Sequence, residues 1–170
     1  MKYTRINVKD NYYYIGFDEQ GITFVGSPNG DKTEIDKWFS NNEFVAANED
    51  VLVLTKELLY FFNKEKNMID VKIHMIGTEF QIKVWKELMK IPYGKTVTYQ
   101  EVAIKLGDKN KTRAVATAVA KNPLLIIVPC HRVIGSDGAL RGYRGGIDFK
   151  HELLLLEEKE IKNGTSNIKD

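Results

Sequence analysis

The chain has 170 residues, 43% hydrophobic and 28% charged, with a formal net charge of +2 and one cysteine. That is apolar material for one generous domain or two small ones, and too much for a disordered chain. One cysteine excludes an internal disulfide, no run approaches membrane-spanning length, and "MKYTRINVKDNYYYIG" lacks a signal peptide's apolar stretch, so a cytoplasmic protein with no membrane attachment is expected.

In chain order, Tyr3 to Val25 read as short strands: Tyr12, Tyr13, Tyr14, Ile15 and Phe17 form one run, Gly21 breaks it, and Ile22 to Val25 form another. "SPNGDK" is a loop. Ile35, Trp38 and Phe39 predict one amphipathic helix and Leu52 to Phe62 a second. The alternating "IDVKIHMIG" predicts a strand and linker ending near Gly77. Residues 1–76 therefore read as a small α/β unit, and nothing in them names an activity.

The next segment opens with Thr78 and Gln81 in capping-box spacing, ahead of Phe80, Val84, Trp85, Leu88 and Ile91 at helical spacing; Pro92 and Gly94 stop that helix. Thr98 and Glu101 repeat the device, and Gly107 closes a shorter helix. After "DKNK", "TRAVATAVAKNP" predicts a third helix ended by Asn122-Pro123. Two short helices around a four-residue turn fit a helix-turn-helix. The alanines of the last helix suit close packing against a neighbour or close approach to a nucleic-acid groove, with Arg113 and Lys121 as its cations.

Charge divides the same way: residues 1–76 sum to −3 and residues 77–157 to +5, which suits a polyanion partner for the second segment or a solvated basic surface. "IIVPCHRVIG" then places Cys130 between a branched apolar run and His131. Such a thiol reads as a small core hydrophobe or as a nucleophile beside its base. His74, His131, His151 and Cys130 match no zinc spacing, so no metal and no cofactor are expected.

"GTEFQIKVWKELMKIPYGKTVTYQEVA", "TRAVATAVAKNP", "IIVPCHRVIGSDGALRGYRGG" and "KHELLLLE" stand in the order and spacing of the 6-O-alkylguanine-DNA alkyltransferases. The resemblance is continuous from about Gly77 to Glu157, and residues 1–76 are similar in length and character to that family's N-terminal α/β domain. It implies an α/β chain with an N-terminal domain over 1–76, a mainly helical catalytic and DNA-binding domain over 77–157, and a polar tail over 158–170.

The implied activity is direct damage reversal in double-stranded DNA. An alkylated guanine is flipped out of the duplex and its alkyl group passes irreversibly to Cys130, once per molecule, by a monomer that also accepts 4-O-methylthymine. His131 looks like the base, acting through a bridging water. Phe149, Leu153, Leu156 and Glu157 share one helix face, so Glu157 falls on the buried side, where a carboxylate needs a partner. The family's histidine–glutamate pairing matches His131 and Glu157, with Glu158 the solvated alternative.

Other roles carry over by position. Asn122 resembles the residue bracing the active-site turn. Tyr99 resembles the tyrosine that crowds a phosphate and donates to the departing base. Gln100 and Ser136 are similar to DNA contacts, and Arg113 to the arginine that replaces the flipped nucleotide. Tyr143 and the backbone at Val133 and Arg144 resemble the surfaces that receive the base. Ala116-Thr117, Leu125 and Arg144 depart from commoner family residues, which leaves preferred alkyl size open. A lesion-binding relative would lack the cysteine, and a helix-turn-helix regulator would not need Pro-Cys-His-Arg-Val.

Overall fold

The computed structural model describes residues 1–169, with side chains through 158. The chain divides into two compact units, one comprising Met1–Gly77 with Pro123–Ile127, the other Thr78–Asn122 with Val128 onward. The second segment of the sequence thus lends five of its residues, 123–127, to the first unit.

In the first unit, β1 (Lys2–Val8), β2 (Asn11–Asp18), β3 (Gly21–Val25) and β4 (Glu43–Phe44) form a sheet in the order β3-β2-β1-β4. Neighbours are antiparallel except β1 and β4, which run parallel. Period-two alternation sets the faces: Thr4, Ile6 and Val8 are buried while Arg5 and Asn7 are exposed. Helix α1 (Glu49–Phe62), capped by Asn48, buries Val51, Leu54, Leu58 and Phe61 at helical spacing.

Two expectations fail here. The helix predicted around Ile35, Trp38 and Phe39 is a six-residue 3-10 segment, Lys32–Lys37, capped by the Asp31 side chain. Trp38 packs its ring against Phe24 instead, and Asn41 takes a left-handed φ of 54. The strand predicted over "IDVKIHMIG" is one parallel bridge, Ile22 to Ile73, made by Ile22 N–H to the Lys72 carbonyl and His74 N–H to that of Ile22. The backbone closes tightly there because Gly21, at φ 135, has no Cβ; one would lie 2.5 Å from the Lys72 carbonyl oxygen.

The second unit starts with α2 (Glu79–Leu88), where Thr78 and Gln81 form the full capping box. Two-residue β5 (Val97–Thr98) leads into α3 (Tyr99–Lys105), with a second full box from Thr98 and Glu101. A 3-10 turn, Lys109–Lys111, joins it to α4 (Thr112–Ala120), and α3 and α4 form the helix-turn-helix. Trp85 of α2 donates its indole N–H to the Ala118 carbonyl at 2.9 Å, pinning α4 from beneath.

Strand β6 (Val133–Ile134) pairs in parallel with β5, Val97 opposite Val133 and Thr98 opposite Ile134. That short ladder sets the start of α3 beside the residues following Cys130. The last helix, α5 (Ile147–Lys169), continues as helical backbone where a tail was expected from 158; side chains from 159 onward lie outside the described residues. No helix among the described residues is long and apolar enough to cross a membrane.

Candidate active site and nucleic-acid surface

Chain geometry aims the thiol. Pro129, at φ −78 and ψ 57, sits at the centre of a γ-turn in which Cys130 N–H donates to the Val128 carbonyl at 2.7 Å. The proline ring favours that φ, so the residue before the cysteine builds the turn. Cys130–Arg132 then make one 3-10 turn, which carries Cys130, His131 and Arg132 into buried positions. Upstream, Ile126 takes φ 71, and Ile127 N–H donates to the Leu125 carbonyl at 2.8 Å across it. A β-branched residue in that region costs about 1–3 kcal/mol and is held only by its surroundings.

Asn122, just beyond α4, is buried and uses its amide twice. Nδ2 donates to the Val128 carbonyl at 3.2 Å and to Cys130 Sγ at 3.1 Å. The first bond braces the turn; the second favours negative charge on sulfur. Burial pushes the Cys130 thiol above its usual range, against the Asn122 bond and the positive charges of Arg144 and Lys150. The resting sulfur is therefore a thiol, and a base must take its proton.

The next residue, His131, is a buried imidazole. Its side chain is 0% exposed, and Nε2 donates to Glu157 Oε1 at 2.8 Å. Burial holds the imidazole below its ordinary range despite the pull of Glu157, so it is neutral at neutral pH. With the Nε2 hydrogen directed at the carboxylate, Nδ1 carries the lone pair, and among the described residues this buried atom has no hydrogen-bond partner.

Glu157, 1% exposed, is fully engaged. Oε1 also accepts from Arg132 Nη2 at 2.8 Å, and Oε2 accepts from Arg132 Nε at 3.0 Å and Gly94 N–H at 3.3 Å. Burial alone would raise this carboxyl, but the bonds from His131 and Arg132 win and hold it below the usual carboxylate range. Arg132 also donates Nη1 to the Ile91 carbonyl at 2.7 Å. Phe149 and Leu153 are buried on the same helix face, while Glu158 is exposed.

Two contributors are absent from the sequence analysis. Arg132 charge-balances Glu157; the signal for it is a cation directly after a histidine that itself needs a carboxylate. Lys150 is buried and donates Nζ to the carbonyls of Val133 at 2.6 Å and Arg141 at 3.0 Å. Its spacing of three and seven residues before Leu153 and Glu157 puts it on their helix face, which a face analysis of α5 reveals.

The expected nucleic-acid residues lie along the helix-turn-helix and the loop after β6. Arg113 is exposed near the start of α4, whose Val115, Ala118 and Val119 are buried while Ala114, Thr117 and Ala120 face outward. The small residues thus serve both packing and a low outer surface. Tyr99 and Gln100, both half-buried, open α3, and Tyr99 donates its hydroxyl to the Arg141 carbonyl at 3.1 Å. Burial raises the Tyr99 phenol above its usual range.

Ser136 is exposed on the loop, Val133 and Tyr143 are buried, and half-buried Arg144 donates Nη2 to the Asn122 carbonyl at 3.2 Å. The Asn122 residue thereby ties Arg144 to the turn that holds the thiol. Among the described residues no group of three or more metal-ligating side chains gathers.

A family model described as the DNA-binding domain of 6-O-methylguanine DNA methyltransferase matches residues 79–159. The chain is 44% identical over 142 residues to a methylated-DNA–protein-cysteine methyltransferase of Methanosarcina acetivorans, covering 82% of this chain and 87% of that protein. It is 37% identical over 155 residues to the inducible enzyme of that description from Bacillus subtilis, covering 89% and 87%. Its fold superposes on the crystal structure of Mycobacterium tuberculosis OGT in complex with DNA with a TM-score of 0.81, at 33% identity over 94% of each chain.

Proposed function

This chain belongs to the 6-O-methylguanine-DNA methyltransferases, and from that membership we propose how it repairs DNA: the alkyl group of a flipped 6-O-alkylguanine passes to Cys130 in one irreversible step. The observation that carries this reading is the arrangement around the thiol. Asn122 donates to Sγ, and the adjacent imidazole is held by Glu157 with Nδ1 left as an acceptor.

The step balances as follows. His131 Nδ1 takes the thiol proton through a bridging water, and Glu157 stabilises the imidazolium. Arg132 keeps Glu157 ionised throughout. The sulfur lone pair forms the S–C bond as the C–O bond to guanine breaks, and the electron pair leaves on the base. Tyr99 protonates the departing guanine and regains its proton from solvent, to which the His131 imidazolium releases the one taken from the thiol. Soft sulfur at a saturated carbon yields a thioether, which no residue of the site can cleave, so each molecule reacts once.

Arg113 fills the stack after flipping, Gln100 and Ser136 contact the backbone, and Val133, Tyr143 and Arg144 receive the base. The same pocket takes 4-O-methylthymine, whose methyl is presented on an equivalent exocyclic oxygen. No cofactor enters this scheme. The protein acts as a monomer in the cytoplasm, where a single-use thiol stays reduced.

The test is stoichiometric. Incubated with excess duplex carrying labelled 6-O-methylguanine, the protein should gain one methyl, located at Cys130 by peptide mass spectrometry, and then stop. Cys130→Ala should bind the same duplex and accept nothing. Continued turnover, or label elsewhere, overturns the reading.

A further inference from the structure

The loop after β6 carries a charge pair that the transfer scheme does not use. Asp137 and Arg141 meet at 2.5 Å, with side chains 56% and 61% exposed. Around them the loop is firmly built. Gly135 N–H donates to the Ala139 carbonyl at 3.0 Å, Gly138 N–H to that of Gly135 at 2.9 Å, and Ala139 N–H to Asp137 Oδ1 at 3.0 Å. Gly138, at φ 78, makes the turn possible.

The backbone of Arg141 is anchored more strongly still. Its carbonyl accepts the Tyr99 hydroxyl at 3.1 Å and the Lys150 ammonium at 3.0 Å. An exposed guanidinium thus starts from a fixed point against the first residue of α3, on the same loop as exposed Ser136. Two forces act on it. Asp137 holds it in an exposed ion pair, which solvent screens and leaves weak. A duplex seated at Tyr99 would bring phosphates, which take a guanidinium in two-pronged bonds and release counterions as they do so.

We propose that Asp137 is an internal stand-in for DNA: Arg141 is paired with it in the free protein and exchanges it for a backbone phosphate when duplex docks beside Tyr99. Arg141 is then a DNA-binding residue, and Asp137 sets the affinity by competing for it. This rests on the reading that duplex binds the helix-turn-helix face.

The experiment measures the dissociation constant for a short duplex against salt concentration, for the wild type, Asp137→Asn, Arg141→Gln, Arg141→Lys and the Asp137→Asn/Arg141→Gln double variant. Asparagine keeps the oxygen that caps Ala139, and no Arg141 substitution touches the backbone carbonyl, so the loop stays built. Asp137→Asn should tighten binding about two- to fivefold, the strength of the lost competitor. Arg141→Gln should weaken binding and reduce the magnitude of the log–log salt slope by about one, while Arg141→Lys keeps the slope.

The decisive comparison is Asp137→Asn in the Arg141→Gln background, where its benefit should vanish. Equal tightening in both backgrounds would make Asp137 a general repulsive charge and overturn the exchange, as would an unchanged slope in Arg141→Gln. Methyl transfer by the same wild-type preparation separates the two levels. If the wild type neither binds duplex nor takes up methyl, the repair reading itself fails and the exchange falls with it.

Discussion

His131 and Glu157 form a buried pair, Nε2 to Oε1 at 2.8 Å, in which the carboxylate fixes the tautomer and so decides which ring nitrogen carries the lone pair. Arg132 holds the other side of that carboxylate, so the pair works as a charge-balanced triad.

Glu157→Gln should lower the single-turnover transfer rate at neutral pH by on the order of 100-fold, the scale of a general base's contribution. Without the carboxylate the imidazolium is less stable, the proton stays on sulfur, and the apparent thiol pKa rises. The rate should therefore recover partly as pH increases and ionises Cys130 directly. The same change strands buried Arg132 and should cost stability, about 3–5 kcal/mol for a broken buried pair. Glu158→Gln, altering an exposed side chain, should match the wild type in rate and melting temperature; a defect there would reassign the partner of His131.

Acid should destabilise the fold in two stages. The His131 pKa is lowered by burial, so below its unfolded value of 6.5 the unfolded chain binds the extra proton first, and stability falls as pH drops from there toward the folded pKa. The Glu157 pKa is also lowered, by its bonds to His131 and Arg132 acting against burial. Its contribution is complete above the unfolded 4.5 and is lost as pH falls through the folded value. Thermal melts from pH 8 to 3 should show both limbs, and His131→Gln should remove the upper one. A melting temperature flat between pH 7 and 5 in the wild type would contradict the neutral buried imidazole.

Asn122→Ala should destabilise the protein by about 0.5–1.5 kcal/mol, because the Val128 carbonyl loses its side-chain donor while keeping the Cys130 N–H. It should also slow alkylation of the thiol, since the donor to Sγ goes with it. Asn122→Asp, similar in shape, should slow it further by placing a negative charge beside the forming thiolate. The pH dependence of iodoacetamide labelling reads out all three proteins; identical profiles would remove Asn122 from the activation of Cys130.

Arg113→Ala should reduce transfer from duplex DNA by about tenfold or more, while reaction with a free alkylated guanine changes less than about twofold, because only the duplex pays for unstacking. Single-turnover rates on the two substrates decide it. Equal losses would mean that Arg113 acts on chemistry or folding, although its exposed position in α4 places it far from any buried role.

The local devices were legible in the sequence because their hydrogen bonds close within three or four residues. The boxes Thr78–Gln81 and Thr98–Glu101 depend on neighbours in the chain, and the burial of Glu157 followed from the apolar face of α5. Reading failed where a long-range partner competed with a local pattern. The Ile35–Phe39 stretch gave up its helix for the Trp38 contact with Phe24, and "IDVKIHMIG" kept only the bridge at Ile73 that Gly21 permits. The tertiary structure alone decided how the charges inside the site are balanced. Arg132 reaches Glu157 from 25 residues away, and Lys150 reaches the carbonyls of Val133 and Arg141 from 17 and 9. A buried charge takes whichever partner the packed chain brings within hydrogen-bond distance, and no spacing along the sequence specifies that choice in advance.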